Sequence, residues 1–230
     1  MKNLVVLTGS GISAESGIKT FRDSGGLWEG YDVMEVATPE GWARNPELVL
    51  EFYNQRRKQA LNAQPNDAHR ILTELETHFN VIIITQNVDN LHEKAGSSTI
   101  IHLHGELFKS RSTLDENLVY DIDGWELKLG DLCEKGSQLR PNIVWFGESV
   151  PMMEAAVQET LRADIFLVVG TSLVVYPAAG LIDYVQDRVP KFIVNPIMPD
   201  VIYRPHQYLI EEKATVGMKK VKNMLLENYV

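Results

Sequence analysis

The first apolar run is followed by three small residues that have the spacing of a phosphate-binding turn. Gly9, Gly11 and Ala14 match the pattern G-x-G-x-x-A directly after the run Leu4–Thr8. In that pattern the first glycine makes a tight turn, the second lets the backbone approach a pyrophosphate, and the small third residue lets a helix pack on the strand. The pyrophosphate then lies on the amides at the helix N-terminus. The spacing predicts a dinucleotide site, and a turn without any ligand is the alternative.

The residues that follow this turn argue against a hydride-transferring enzyme. A dehydrogenase has a second strand after the turn, and that strand ends in an acidic residue roughly 20 positions further on. Here positions 20–28 read TFRDSGGLW, which has no strand pattern. An Arg and a Phe beside a dinucleotide favour chemistry at the bond between ribose and nicotinamide.

Two further groups of polar residues follow apolar runs. His102 and His104 lie two positions apart at a strand end and share one face. Histidine has an ordinary pKa near ~6.5 and can accept a proton near neutral pH. Asn87 and Asp89 follow the run Val81–Thr85. Taken alone, packed histidines and turn-forming Asn and Asp residues are the simpler interpretation.

A hydroxyl and a guanidinium share one face of a predicted helix. Tyr53 and Arg56 lie three positions apart, so both can bind one carboxylate, with the guanidinium as a bidentate donor. A solvated helix with a basic patch is the alternative. Arg57, about 100° further around the helix, is expected to point elsewhere and to matter little.

Short apolar runs and helical patterns alternate along the chain. The predicted strands are Leu4–Thr8, Val81–Thr85, Ile100–Leu103, Ile165–Val169 and Phe192–Val194. The predicted helices are Pro46–Leu61, Asp67–Phe79, Met153–Arg162, Ala178–Gln186 and Val216–Leu226. Runs rich in Val and Ile suit strands that are buried on both faces. The alternation predicts an α/β fold with a Rossmann-like, doubly wound parallel sheet.

Two stretches lack this rhythm and are predicted to be loops and insertions that form a small subdomain. They are Thr20–Trp42, which is rich in glycine and aromatic residues, and the acidic Glu106–Gln138. We therefore divide the single domain 1–230 into a core of about 1–19, 62–105 and 139–230 and a small subdomain of about 20–61 and 106–138.

Composition limits the class of partner. The chain has 230 residues and a formal net charge of -9, which argues against nucleic acid or an anionic membrane surface. Cys133 is the single cysteine, so no internal disulfide can form. The N-terminal apolar stretch is too short for a signal peptide, and we expect a monomeric, cytoplasmic protein.

Five sequence blocks, spread over most of the chain, together resemble the sirtuin family of NAD-dependent protein deacylases. They are Gly9–Ser13 with Thr20–Asp23, TQNVDNLH at 85–92, HLHG at 102–105, RPNIVWFGE at 140–148 and GTSL at 170–173. The resemblance implies removal of acyl groups from lysine side chains of proteins, with NAD consumed and nicotinamide and O-acyl-ADP-ribose released.

The resemblance also implies roles for individual residues. His104 is the implied general base, and Asn87 is the second implied catalytic residue. The implied cofactor-binding residues are Gly9, Ser10, Gly11, Ile12, Ser13, Phe21, Arg22, Trp28, Gln86, Asn87, Val88, Asp89, Gly170, Thr171, Ser172, Asn195 and Ala214. The implied peptide-binding strand contains Val144, Trp145, Phe146 and Gly147.

Tyr53 and Arg56 match the Tyr-x-x-Arg motif of the sirtuin branch that removes succinyl and malonyl groups, so they are the implied acyl-binding residues. Deacetylation is expected as well, because the motif does not exclude neutral acyl groups.

Most sirtuins hold a structural zinc with two Cys-x-x-Cys pairs. The first pair would fall near Ser112 and Asp115, and only Cys133 remains of the second. We therefore expect no zinc. The expected apolar core of that module is Leu118, Tyr120, Ile122, Trp125, Leu127 and Leu129.

Two other functions fit the same cofactor geometry. An NAD glycohydrolase or ADP-ribosyltransferase would use water or another side chain as acceptor. A catalytically silent NAD-binding sensor would need neither His104 nor Asn87.

Overall fold

The computed structural model describes residues 1–20, 27–28, 30–200 and 202–230. The strands are β1 (Asn3–Thr8), β2 (Leu27–Trp28), β3 (Tyr31–Asp32), β4 (Asn80–Thr85), β5 (Ile100–His102), β6 (Gly105–Ser112), β7 (Val119–Asp121), β8 (Leu139–Ile143), β9 (Ile165–Val169), β10 (Lys191–Val194) and β11 (Gln207–Ile210). The α-helices are α1 (Val33–Val36), α2 (Pro39–Arg44), α3 (Pro46–Asn62), α4 (Asp67–Leu75), α5 (Leu91–Ala95), α6 (Met153–Leu161) and α7 (Ala214–Tyr229).

A six-stranded parallel sheet forms the centre of the molecule, in the order β11-β10-β9-β1-β4-β5. Its central strands are apolar on both faces because helices cover both faces. Leu72 of α4 and Val221 of α7 belong to the cluster on one side, and Ala156 of α6 belongs to the cluster on the other. The predicted α/β, Rossmann-like doubly wound sheet is confirmed.

The five predicted strands all lie in this sheet, but the sixth strand was missed. β11 is an edge strand in which Tyr208 and Leu209 are exposed, so its residues lack the continuous apolar run of a buried strand. The predicted helix at Ala178–Gln186 is wrong in type, since Ala178–Tyr184 forms a 3-10 helix. The predicted helix Asp67–Phe79 ends earlier, at Leu75.

The stretch predicted as the loop Thr20–Trp42 contains regular structure in its described part. β2 and β3 pair as a short hairpin, and α1 and α2 follow. Asp32 caps α1 and Thr38 caps α2 through their side chains. The caps explain why such short helices form in a segment without an apolar period.

The second predicted loop region, Glu106–Gln138, is also more regular than expected. β6 pairs antiparallel with β7 and with β8 in a three-stranded sheet. We call residues 105–143 the antiparallel module. Of its six predicted core residues only Leu127 is buried, while Leu129 is 52% exposed. The predicted apolar core is therefore wrong.

Leu107 and Ile143 of the module share a buried apolar cluster with α3, and polar side chains of α3 hold the segment around Trp125 and Leu127. The Asn54 amide exchanges two hydrogen bonds with the backbone of Leu127 at 3.1 and 2.9 Å. Arg57 donates to the backbone oxygens of Trp125 at 2.7 Å and Leu107 at 3.1 Å. Because Arg57 is completely buried, the expectation that it would matter little is wrong.

Among the described residues, no helix is long and apolar enough to cross a membrane.

Candidate active site

The carboxyl ends of neighbouring parallel strands bring the predicted site residues to one edge of the sheet. Thr8 of β1 is in register with Thr85 of β4 and Val169 of β9. The loops that leave these three strands therefore start side by side. In open α/β sheets this edge is where ligands bind.

The loop after β1 packs directly against the loop after β9. The Gly9 amide donates to Val169 O at 3.0 Å, and the Gly11 amide donates to Gly170 O at 2.8 Å. A Cβ on Gly11 would lie 2.7 Å from Gly170 Cα, and a Cβ on Gly170 would lie 2.3 Å from the Ile12 nitrogen. These glycines are therefore needed for the two loops to approach each other.

The local structure after Gly9 differs from the predicted helix. Ser10–Ile12 and Ala14–Ser16 form two separate 3-10 turns of three residues each. Ala14 is exposed, so it does not pack a helix onto β1. A helix N-terminus as the phosphate site is a wrong prediction, and any anion here would meet the amides of a loop.

The loop after β4 is joined to the loop after β1 by a chain of hydrogen bonds. Asn87 Nδ2 donates to Ser13 Oγ at 3.1 Å, and Ser13 Oγ donates to Asp89 Oδ2 at 3.0 Å. Burial raises the pKa of Asp89, while the bonds from the Leu91 amide and Ser13 oppose that rise. The three predicted site residues thus form one buried group.

The loop after β4 also contacts the loop after β9. Gln86 Nε2 donates to Thr171 Oγ1 at 3.1 Å, and the Leu173 amide donates to the same oxygen at 3.2 Å. Val88 and Ser172 are partly buried in these two loops.

His104 follows β5 and faces the same edge. Its Nδ1 lies 3.1 Å from the backbone oxygen of Gln86. Since a carbonyl can only accept, Nδ1 carries the hydrogen and Nε2 keeps its lone pair. Burial lowers the pKa of His104, so the ring is neutral at physiological pH. The ring is thus prepared to accept a proton at Nε2.

His102, on the same predicted face, has a different environment. Its Nε2 lies 2.5 Å from Glu93 Oε1, and its Nδ1 lies 3.4 Å from Asn87 O. Burial lowers the pKa of His102, but the bond and charge of Glu93 outweigh it, so the net shift is upward. Glu93, His102 and Glu106 lie close enough together to bind one metal ion. Glu106 forms an ion pair with Lys109 at 3.0 Å.

Two buried histidines beneath the loops were not identified from the sequence. His92 Nε2 lies 3.1 Å from Thr8 Oγ1, which donates to Thr85 Oγ1 at 2.8 Å. The rings of His92 and His69 meet edge to face at 5.0 Å. A threonine at the end of each of two adjacent buried strands was the only sequence signal for this polar centre.

The predicted peptide-binding strand contacts the residues around His104 and the helix α3. The Val144 amide donates to His104 O at 3.0 Å. Trp145 is buried and donates from Nε1 to Tyr53 Oη at 3.1 Å. Phe146 is 45% exposed, and Gly147 has a φ of 90° in the turn that follows.

The two predicted acyl-binding residues lie in different environments on α3. Tyr53 is completely buried, and Trp28 meets its ring edge to face at 6.3 Å. Arg56 is partly buried, and its guanidinium lies 5.1 Å from the centre of the Phe52 ring.

The remaining predicted cofactor residues lie further along the same edge of the sheet, near β10 and β11. Asn195 follows β10, and its Nδ2 donates to Ile197 O. Ala214 is buried at the start of α7, which follows β11. Phe21 and Arg22 lie outside the described residues.

Comparisons with known proteins agree with this arrangement. The model of the Sir2 family matches residues 9–177. A Bacteroides thetaiotaomicron protein named NAD-dependent protein deacylase is 52% identical, over 98% of this chain and 99% of its own. A Helicobacter pylori protein of the same name is 53% identical, over 99% and 97%.

Solved structures give the same result. A Sir2 homologue in complex with NAD has a TM-score of 0.88 at 41% identity, covering 98% of this chain and 90% of that one. A Sir2 protein bound to acetylated peptide has a TM-score of 0.80 at 30% identity, covering 96% and 92%.

Proposed function

The chain belongs to the Sir2 family, and we propose from this premise that it is an NAD-dependent protein lysine deacylase that removes succinyl and malonyl groups and also acetyl groups. The observation that carries the proposal is the neutral His104 ring, with Nδ1 held by Gln86 O and Nε2 left as the base. A monomeric state and a cytoplasmic location stay predictions.

The residues of the sheet edge fit a dinucleotide. The close approach of Gly9 and Gly11 to Gly170 leaves a loop without side chains beside the strand ends, where the backbone can meet phosphates. Asn195 and Ala214 lie beyond it, at the ends of β10 and β11, on the side we assign to the adenosine. NAD, when bound, would supply the ribose–nicotinamide bond; its cleavage releases nicotinamide, and the ADP-ribose part then accepts the acyl group.

The chain's own residues then orient groups and move one proton. The hydrogen-bonded group of Ser13, Asn87 and Asp89 fixes the loop on the nicotinamide side. His104 Nε2 takes the proton from a ribose hydroxyl, which raises the nucleophilicity of that oxygen. We further propose that the core supplies the cofactor side and that the small subdomain, 20–61 and 106–138, supplies the acyl side.

Acidic acyl groups are proposed because Tyr53 and Arg56 lie three positions apart on α3 and Tyr53 contacts the peptide-binding strand through Trp145. Arg56 would bind the terminal carboxylate with its guanidinium, and Tyr53 would donate its hydroxyl proton. An acetyl group has no carboxylate and would use neither contact.

The test measures nicotinamide release from NAD without peptide, with acetyl-lysine peptide and with succinyl-lysine peptide. Release should depend on peptide, whereas release from NAD alone at the same rate would make the chain a glycohydrolase. Arg56→Ala should lower kcat/KM for succinyl-lysine by about 10- to 150-fold and change that for acetyl-lysine little.

Arg44→Ala is the matched control for Arg56→Ala, because Arg44 is an exposed arginine at the end of the neighbouring helix α2. Arg57 is unsuitable as a control, since it holds the antiparallel module. If Arg56→Ala weakens both substrates equally, Arg56 has a structural role and the acidic acyl pocket is wrong.

A further inference from the structure

The Tyr53 hydroxyl is a buried donor without an acceptor among the described residues. The residue is 0% exposed, and its hydroxyl oxygen accepts the hydrogen of Trp145 Nε1 at 3.1 Å. No side chain or backbone oxygen within the described ranges accepts the Tyr53 proton in return. A buried hydroxyl that lacks an acceptor costs about 1–3 kcal/mol, so a donor of this kind points to a missing ligand oxygen.

The bond from Trp145 also sets the direction of that proton. A phenolic hydrogen lies in the ring plane and has two positions, one on each side of the oxygen. Because Trp145 donates to this oxygen, the Tyr53 hydrogen points away from the indole N–H. Burial raises the pKa of Tyr53, with the Trp145 bond acting in the opposite direction, so the hydroxyl keeps its hydrogen at neutral pH.

Trp145 is itself fixed by a second group of buried polar side chains. The Arg140 guanidinium lies 3.3 Å from the centre of its indole ring. Glu148 accepts from Arg140 Nη1 at 2.7 Å and from the Trp145 amide at 2.8 Å. Arg111 Nη2 donates to both oxygens of the Glu148 carboxylate, each at 3.2 Å.

The charges of Arg140 and Arg111 keep the Glu148 carboxylate ionised and hydrogen-bonded. Burial raises the pKa of Glu148, but the bonds from Arg140 and the Trp145 amide outweigh burial, so the net shift is downward and the carboxylate stays ionised. The indole is therefore held by the Arg140 guanidinium over its ring and by the hydrogen bond from its Nε1 to the Tyr53 hydroxyl.

We propose that Trp145 is a positioning residue for acyl selectivity, which aims the Tyr53 hydroxyl at a terminal carboxylate oxygen of an acidic acyl group. The inference rests on the proposed function, because it needs succinyl-lysine as a substrate. It adds that the peptide-binding strand and the acyl pocket are connected through one hydrogen bond. The effect should therefore appear in the ratio of kcat/KM for succinyl-lysine to kcat/KM for acetyl-lysine, since both substrates share the peptide contacts of the strand.

The experiment is a double-mutant cycle on that ratio, with Trp145→Phe, Tyr53→Phe and the double variant. Trp145→Phe keeps an aromatic ring beside Arg140 but removes the indole N–H together with part of the ring, so the cycle with Tyr53→Phe is needed to isolate the effect of the hydrogen bond. It should lower the ratio about 3- to 10-fold, the effect of one neutral hydrogen bond. Tyr53→Phe should lower it at least as much. In the Tyr53→Phe background, adding Trp145→Phe should change the ratio less than about 2-fold.

The outcomes separate the two proposals. A wild-type protein with no turnover of succinyl-lysine overturns the proposed acyl preference itself. A wild type that prefers succinyl-lysine, with the ratio unchanged by Trp145→Phe or lowered equally in both backgrounds, overturns the positioning role of Trp145. If Trp145→Phe does not fold, Glu148→Gln takes its place in the cycle, and a ratio that stays at the wild-type value also overturns the role.

Discussion

The six-stranded sheet and the antiparallel module keep their shape by different means. In β1 and β9 every residue from Leu4 to Thr8 and from Ile165 to Val169 is buried, and helices cover both faces. In the antiparallel module, Leu127 is the single buried residue of the six apolar candidates. Leu107 and Ile143 of this module join a buried apolar cluster with α3, and charged and amide side chains hold the segment around Trp125 and Leu127.

This difference separates the residues that do chemistry from those that hold the fold. At the sheet edge, the polar side chains follow strands that apolar packing stabilises, so one of these side chains can be replaced without unfolding the protein. In the module, buried polar side chains are part of the scaffold.

His104→Ala should have the largest effect on activity and a small effect on stability. The variant should lose about 10²- to 10⁴-fold in peptide-dependent deacylation, because the base at the ribose hydroxyl is gone. Its melting temperature should stay within a few degrees of wild type, and NAD should still bind. Turnover near that of wild type would remove His104 from the mechanism, and unfolding would contradict the division between site and scaffold.

Arg57→Met should have the reverse effect. The substitution leaves the backbone oxygens of Trp125 and Leu107 without their donor, so the free energy of unfolding should fall by about 2–4 kcal/mol. For a chain of this size the melting temperature should fall by roughly 5–15 °C. Gln59→Ala, an exposed position on the same helix, should shift it by less than about 2 °C. Equal shifts for the two variants would mean that Arg57 does not hold the module.

These two predictions also show how far the sequence could be interpreted. The parallel strands and the edge that carries Asn87 and His104 followed from apolar runs and the residues after them. The environment of Arg57 could not be predicted, because its acceptors are backbone oxygens of Leu107 and Trp125, 50 and 68 positions away. Backbone acceptors leave no sequence signal. β11 was missed for a related reason, since an edge strand needs only one apolar face.

Mild acid tests the buried polar centre formed by His69, His92, Thr8 and Thr85. Burial lowers the pKa of His69 to about 4 and that of His92 well below its ordinary value. Between pH 6.5 and pH 4 the unfolded chain binds protons at these rings and the folded chain does not, so stability falls as pH falls. The free energy of unfolding, measured with urea, should be about 2 kcal/mol lower at pH 5 than at pH 7.5 for His69 alone.

His69→Asn should reduce that pH dependence, whereas His78→Asn, at an exposed position, should leave it unchanged. A pH dependence that is the same in the His69 variant as in wild type would show that the ring is protonated or exposed in the folded protein.

Chelation should have the smallest effect, because the antiparallel module has another set of contacts at the positions where the sequence resemblance would place zinc ligands. Ser112 Oγ accepts the amides of Leu114 and Asp115 at 3.1 and 3.2 Å, and Cys133 Sγ donates to the same oxygen at 3.3 Å. Asp115 forms an ion pair with Lys135 at 2.7 Å. One thiol and one hydroxyl do not make a tetrahedral N/S site, and residues 106–138 contain no histidine.

Incubation with a strong chelator should therefore leave both the melting temperature and deacylation unchanged, and elemental analysis should find no stoichiometric zinc. If chelation lowers the stability and added zinc restores it, this prediction is wrong. A metal would then hold the module, and Arg57 and Asn54 would add to its stability without taking the place of the metal.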